Sequence, residues 1–288
     1  MENKISSDKK IIVLYHDDCP DGFSAAWTAC KKFGDRAVYM GLSRQLPPPE
    51  GLNGKEIYLL DFTYDVEKMK EMVGSNKSVV VIDHHVSAAD AVKVATDHLY
   101  DNSHSGATLA WVYFHKDKKM PQLLRYIEDR DLWRFSIPDT TTVCASVDLY
   151  DYSFKNWDKL ARELEEPEMR ERHILQGRIV AKYEKKVSEM LVDHNAQLVD
   201  FEGYQIYCVN APHVFASLIG SILCNKKPPI GIIWSENHDG IAVSLRSDGS
   251  VDVSKIAEKY GGGGHKSSSG FSIKKDFEFP WKKYNKNN

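Results

Sequence analysis

The 288-residue sequence has no apolar run long enough to cross a bilayer, so no membrane span is expected. Its first ten residues carry charges where a secretory leader would place an apolar core. Cytoplasmic residence is therefore the expectation. Cysteine is sparse. Cys19, Cys30, Cys144, Cys208 and Cys224 are scattered, odd in number and contain no CxxC pair. That argues against a zinc ribbon or a disulfide framework and for reduced thiols. Net charge is also small, −3, which argues against coating long nucleic acid but leaves room for a small anion in a local basic pocket. No internal repeat is present. With 42% hydrophobic residues the chain can build a real core, and its length suits one large or two modest domains.

The most informative stretch is SVVVIDHH, residues 78–85. Four apolar residues read as a buried strand, and Asp83, His84 and His85 follow with no spacer. A desolvated carboxylate costs several kcal/mol unless a cation or hydrogen bonds compensate it. Two more apolar runs end the same way. Residues 11–15 (IIVLY) lead into His16, Asp17, Asp18, Cys19, Pro20, Asp21 and Gly22, and residues 56–60 (EIYLL) lead into Asp61. Ligands of open α/β sheets bind outside the carboxyl ends of the strands, so three such ends would converge on one crevice. Helices are expected over 23–33, 66–73, from about 105 and through 123–127, with a further strand at 37–40. From Pro167 to about 195 the sequence reads as one long amphipathic helix, with Leu175, Ile179, Tyr183, Val187 and Leu191 along one face. Strands return at 204–209, 230–234 and 241–245, and helices at 213–223 and 253–260. The fold class expected is α/β: a parallel-sheet domain, a helical linker and a smaller α/β domain.

Oxygen and imidazole ligands suit Mn²⁺, with Mg²⁺ next, better than a structural zinc. Clustered carboxylates favour two cations about 3.5–4 Å apart that clamp a phosphoryl displacement by a metal-activated water. Asp61 and Asp83, each held at a strand end, are the natural bridges. Each cluster alone has a plainer reading. The aspartates near Gly22 could be turn chemistry, Asp61 could cap the next helix, and Asp129 and Asp131 could form a solvated face with Arg130. Ser103 or Ser105 is expected to cap the helix that follows, where backbone N–H groups could meet a phosphate. Gly261–Gly264 and His265, beside three serines, read as a permissive loop near an anion, and Arg246 as a phosphate fork.

These residues resemble the DHH phosphoesterase superfamily. Asp83-His84-His85 matches its name-giving motif, residues 16–22 its first, Asp61 its second and Asp129-Arg130-Asp131 its fourth. Residues 244–246 and GGGGHKSSSGF (261–271) resemble the DHHA1 domain of the oligoribonuclease and RecJ-like branch. The resemblance implies a DHH domain over 1–160, a helical linker over 161–196 and a substrate-binding DHHA1 domain over 197–288. It implies His16, Asp21, Asp61, Asp83, His84 and Asp129 as metal ligands, with His85 beside the scissile phosphate and Asp83, His84 and His85 as the catalytic motif. Arg246, Gly262, Gly263, Gly264 and His265, with Ser105, would hold the substrate. One position departs from the family's D-x-D-G pattern, since Cys19 stands two before Asp21. Asp18 or Asp17 would substitute, or Cys19 would ligate as thiolate, and the choice between Asp129 and Asp131 stays open. The function implied is a two-metal phosphodiesterase trimming short oligonucleotides from the 3′ end, with a cyclic mono- or dinucleotide or 3′-phosphoadenosine 5′-phosphate as alternative substrate. A nucleotide sensor that has lost catalysis is the non-enzyme alternative. Partners are a nucleotide substrate and no membrane; a homodimer stays open.

Overall fold

The computed structural model describes residues 5, 8–17, 19–42, 47–237, 240–274 and 278–283. The chain forms two compact units, residues 1–181 and 182–288. In the first, β1 (Ile11–His16), β2 (Ala37–Leu42), β3 (Glu56–Leu60), β4 (Ser78–Asp83) and β5 (Asp97–Tyr100) form one sheet. Its order is β2-β1-β3-β4-β5 and every pairing is parallel. Both faces are covered, which is why the strands are near-continuous apolar runs. Ile12, Leu14, Ile57, Leu59, Val79 and Val81 face one way, against Met69 and Met72 of α2 (Val66–Ser75) and Val92 of α3 (Ala89–Val92). Val13, Leu60, Val80 and Ile82 face the other. They meet Ala25 and Ala29 of α1 (Pro20–Phe33) and Leu109 and Ala110 of α4 (Gly106–His115). Each fully buried aliphatic side chain contributes roughly 1.5–3 kcal/mol, so the strand ends are held rigidly.

A helical layer completes this unit. Trp27, Trp111, Leu123, Ile127, Val143 and Trp157 join α1 and α4 to α5 (Gln122–Asp131), α6 (Thr140–Val147) and α7 (Phe154–Glu163). The long helix α8 runs over Pro167–Asn195 as expected. Its expected apolar stripe is not its buried face, however. Ile179 is 74% exposed, and Leu175 and Tyr183 are exposed too. The buried residues include His173, Ile174, Ser188 and Val192. The cause at the first end is polar. Ser146 Oγ lies 2.8 Å from His173 Nδ1, and Glu163 Oε2 lies 3.1 Å from Nε2. A satisfied buried imidazole sets the rotation of the helix against α6 and α7 in place of the apolar step of four.

The second unit is a seven-stranded sheet of β6 (Gln197–Phe201), β7 (Tyr204–Asn210), β8 (Ile230–Glu236), β9 (Ile241–Ser247), β10 (Gly263–His265), β11 (Ser268–Ile273) and β12 (Lys282–Lys283). The order is β10-β11-β9-β8-β7-β6-β12, with only β7 and β8 parallel. One face packs on α9 (Ala216–Lys226) through Ile219, Leu223 and Ile233. The other packs on α10 (Val253–Lys259) through Ile232, Leu245 and Ile256. The glycine run is not a free loop. Gly261 and Gly262 close α10 by donating to Glu258 and Ala257 carbonyls, and Gly263 opens β10, paired with β11.

Candidate metal centre

In a sheet of this order the chain reverses direction between β1 and β3, and the loops diverge there to leave a crevice. The titratable residues lie at that place. His16 ends β1, Asp61 follows β3 directly and Asp83 ends β4. Asp61 has a left-handed backbone, φ 62°, a conformation that costs a non-glycine residue about 1 kcal/mol or more. Its N–H still donates to Ile82 O at 2.9 Å. Capping of α2, the plainer role for Asp61, belongs to Asp65, whose carboxylate accepts from Lys68 N.

Asp61 stands at the centre of three donor sets. Its Oδ2 lies 3.5 Å from His16 Nδ1 and 3.6 Å from Cys19 Sγ, and those two lie 3.4 Å apart. Its Oδ1 lies 3.1 Å from His84 Nε2 and 3.9 Å from His85 Nδ1. His84 Nε2 is also 3.7 Å from Asp131 Oδ2 and 3.8 Å from Asp21 Oδ2. Asp83 Oδ1 accepts from the backbone N–H of His84 (2.7 Å) and His85 (3.1 Å) and sits 2.7 Å from His85 Nδ1. Among the described residues, the trios His16–Cys19–Asp61, Asp21–Asp61–His84 and Asp61–Asp83–His85 each place their donor atoms within 4.8 Å of one another.

Local sequence explains how the groups come so close. Cys19 is the N-cap of α1, and Gly22 N donates to its sulfur at 3.3 Å. A Cβ on Gly22 would stand 2.0 Å from the His16 carbonyl oxygen, so only glycine lets the helix start against the end of β1. Asp21 uses the open N–H groups at the start of α4, with Gly106 N at 2.7 Å and Ala107 N at 3.1 Å from its two oxygens. This corrects one expectation. The anion at that helix start is the protein's own carboxylate. Ser105 is fully buried, its Oγ accepts from Thr108 N, and its N–H donates to Glu128. It is withdrawn from any substrate. A Cβ on Gly106 would stand 2.7 Å from Asp61 Oδ1 and 3.0 Å from Asp21 Oδ2, so this glycine keeps the space among the ligands open.

The centre carries more negative charge than its own imidazoles balance. Burial, with Asp61 and Asp131 nearby, holds the Asp21 carboxyl well above the usual carboxylate range. Burial acts likewise on the Cys19 thiol, reinforced by Asp61, Asp21 and Asp131. Burial alone would lower His84, yet Asp61, Asp131 and Asp21 push it up to about 10. Asp61 goes the other way. Bonds to His16 and His84 outweigh its burial and hold it well below the usual range. The donor set of imidazole, carboxylate and thiol fits divalent cations.

Comparisons with known proteins agree with this architecture. Residues 210–284 match the model of the DHHA1 domain family. The DHH domain of a member of the S1p family of ribosomal proteins superposes with a TM-score of 0.56 at 14% identity, covering 92% of this chain and 82% of that one. Residues 210–284 thus carry a DHHA1 domain, and the fold of the chain is that of its DHH-domain neighbour. An uncharacterized protein of Acanthamoeba polyphaga mimivirus is 27% identical over 294 residues, 93% of this chain and 68% of the relative. RecJ from Thermus thermophilus in complex with Mn²⁺ gives a TM-score of 0.48 at 12% identity, over 92% of this chain and 50% of RecJ.

The open choice between Asp129 and Asp131 is resolved by where their side chains lie. Asp129 does not face the cluster. Its Oδ1 accepts from Ser136 N and Oγ, and its Oδ2 from Ile137 N and Thr140 Oγ1. Asp131, two residues on, carries the carboxylate near His84. Asp18 lies outside the described residues, and Asp17 belongs to none of the three trios. In the DHHA1 domain, Arg246 is in register with Ser268 across β9 and β11, and Ser268 with His265 across β11 and β10. The three therefore share one row on the α9 face, where Arg246 Nη2 donates to Ser217 Oγ at 3.1 Å and burial lowers the guanidinium to about 10. Motif reading passed over Trp133 and Phe135. Their backbones are left-handed (φ 55° and 47°), their rings meet edge to face at 4.9 Å, and both are exposed, 51% and 39%. The signal available was the apolar Leu132-Trp133 placed directly after an acidic cluster.

Proposed function

We propose that this chain is a metal-dependent phosphoesterase that hydrolyses short oligonucleotides, releasing mononucleotides from the 3′ end. The observation that carries the reading is Asp61. At the switch point of the sheet its two oxygens face different donor sets, Oδ2 towards His16 and Cys19 and Oδ1 towards His84. A carboxylate so placed would offer one oxygen to each of two cations. Asp21, His84 and Asp131 would complete the Oδ1 side, a set of oxygen and imidazole donors that suits Mn²⁺ or Mg²⁺. Such ions supply charge to a phosphoryl oxygen and make a water acidic enough to attack at neutral pH.

The remaining groups position the substrate. Asp83 holds the His85 imidazole through Nδ1, which orients the ring beside a scissile phosphate. Within the second unit, Arg246 offers positive charge and His265 a ring nitrogen for a phosphate. Trp133 and Phe135 offer ring faces to a base, a contact worth about 1–3 kcal/mol per base in single-strand binders. The net charge of −3 favours short substrates, whose few phosphates local cations can neutralise, over long polymers. The test is a panel of short RNAs, short DNAs, cyclic nucleotides, 3′-phosphoadenosine 5′-phosphate and polyphosphate, each with Mn²⁺ and Mg²⁺. Mononucleotide release is expected, falling about 10³-fold in Asp61→Ala. Tight nucleotide binding with no turnover under either ion would refute the enzyme and leave a sensor.

A further inference from the structure

Cys19 does something that N-capping does not require. Serine, aspartate and asparagine cap helices better, and a cysteine earns no preference at that position. Its sulfur is one of three donors in a sharper arrangement. Sγ, His16 Nδ1 and Asp61 Oδ2 stand at the corners of a near-equilateral triangle with sides of 3.4, 3.5 and 3.6 Å. A tetrahedral zinc with its ordinary bond lengths holds sulfur and nitrogen about 3.5 Å apart, sulfur and oxygen about the same, and nitrogen and oxygen about 3.4 Å apart. The three donors thus already stand at the separations that one tetrahedral ion imposes, without repacking. Three protein donors with a fourth position left over is also the pattern of a catalytic rather than a structural zinc. The trio is within reach of solvent, since Cys19 is half-buried and the His16 side chain is 18% exposed.

We propose that Cys19, His16 and Asp61 form a thiolate-containing cation position selective for a thiophilic divalent ion of the Zn²⁺ or Co²⁺ type. The oxygen- and imidazole-lined position around Asp21, His84 and Asp131 takes the harder ion. The inference rests on the two-cation reading above and makes the pair chemically unlike. On binding, the sulfur–hydrogen bond breaks, the sulfur–metal bond forms, and the thiol proton passes to solvent. No oxidant or reductant is involved.

The test uses the full-length chain stripped of metal and titrated with Co²⁺ without oxygen, followed by thiolate-to-cobalt charge-transfer absorption in the near ultraviolet. The wild type is expected to develop this band at one ion per chain. Cys19→Ser, which keeps an oxygen for the helix cap, is expected to bind without it. In competition experiments counting bound metal, the ratio of Zn²⁺ to Mn²⁺ affinity is expected to fall at least about tenfold in Cys19→Asp. A wild type that binds two Co²⁺ without the band, or a band that survives in Cys19→Ser, overturns this inference alone. An unchanged affinity ratio in Cys19→Asp does the same. Failure of the wild type to bind any divalent ion overturns this inference and the two-cation reading together.

Discussion

Replacing Asp129 by alanine removes the acceptor of four hydrogen bonds, while replacing Asp131 removes a carboxylate from the metal centre, and the two should fail in opposite ways. The cost at Asp129 can be worked from its partners. Ser136 is exposed, so water can take over its N–H and hydroxyl. Ile137 N is half-buried and Thr140 is buried, so those two donors bear the full loss. At about 1.5–3 kcal/mol for each bond to a charged group, Asp129→Ala should cost about 3–6 kcal/mol. Asp131 is partly exposed, 26% at the side chain, and it repels Asp21 and Asp61 when no cation is bound. Its removal should change stability by less than about 1 kcal/mol while lowering divalent-ion affinity at least about tenfold. Four of the six tryptophans, Trp27, Trp111, Trp133 and Trp157, belong to the first unit. Urea unfolding followed by tryptophan fluorescence therefore reads mainly that unit, and calorimetric titration reads the ion. The sign with pH is also fixed. Hydrogen bonds from Thr140, Ser136 and Ile137 outweigh burial and hold the Asp129 carboxyl below its ordinary value. Its contribution is therefore present above about pH 4 and lost as the pH falls through the folded value. The stability gap between wild type and Asp129→Ala should be flat from about pH 5 to 8 and narrow below about pH 4. Equal destabilisation by the two variants, or normal ion binding in Asp131→Ala, would refute this assignment.

Gly106→Ala places a methyl 2.7 Å from Asp61 Oδ1; activity with Mn²⁺ should fall about 10²-fold while circular dichroism stays unchanged, and full activity would mean the ligands do not close on this point. Arg246→Ala and His265→Ala should each raise KM about tenfold with kcat nearly constant; an unchanged KM removes that residue from the substrate row. Stripping divalent ions should lower the thermal midpoint of the first unit, and adding Mn²⁺ back at about 100 times its Kd should restore about 2.7 kcal/mol. A midpoint indifferent to the ion would speak against binding by the folded state.

The parts of this fold that were legible in the sequence are those in which local signals and tertiary demand agree. Apolar runs covered on both faces gave β1, β3 and β4 with their polar ends, and Ser105 and Pro167 marked helix starts. Elements that only their neighbours create were not legible. β5 is a short, partly exposed edge strand defined by its pairing with β4. α6 begins with three threonines, poor helix formers, at a place fixed by Asp129 and Thr140. β10 is strand only because β11 lies beside it. Asp129 and Asp131 could not be separated from sequence because side chains two apart on a helix point about 200° from each other, and nothing local says which direction is inward.

The centre is built against its own electrostatics, and that is the strongest physical reason to expect a cation there. A carboxylate as buried as Asp21 or Asp61 could be made harmless by hydrogen bonds alone, as Asp129 is, with four donors. Asp21 receives such bonds from Gly106 and Ala107, yet its burial and the nearby Asp61 and Asp131 undo the benefit. Gly22 and Gly106 remove the side-chain atoms that would keep these groups apart. Asp61, beside them, adopts a left-handed backbone. Several independent features of the chain thus bring like charges closer, each at a cost to the folded protein. Such costs persist where a ligand offsets them, and divalent cations held around Asp61 would supply the charge this arrangement calls for.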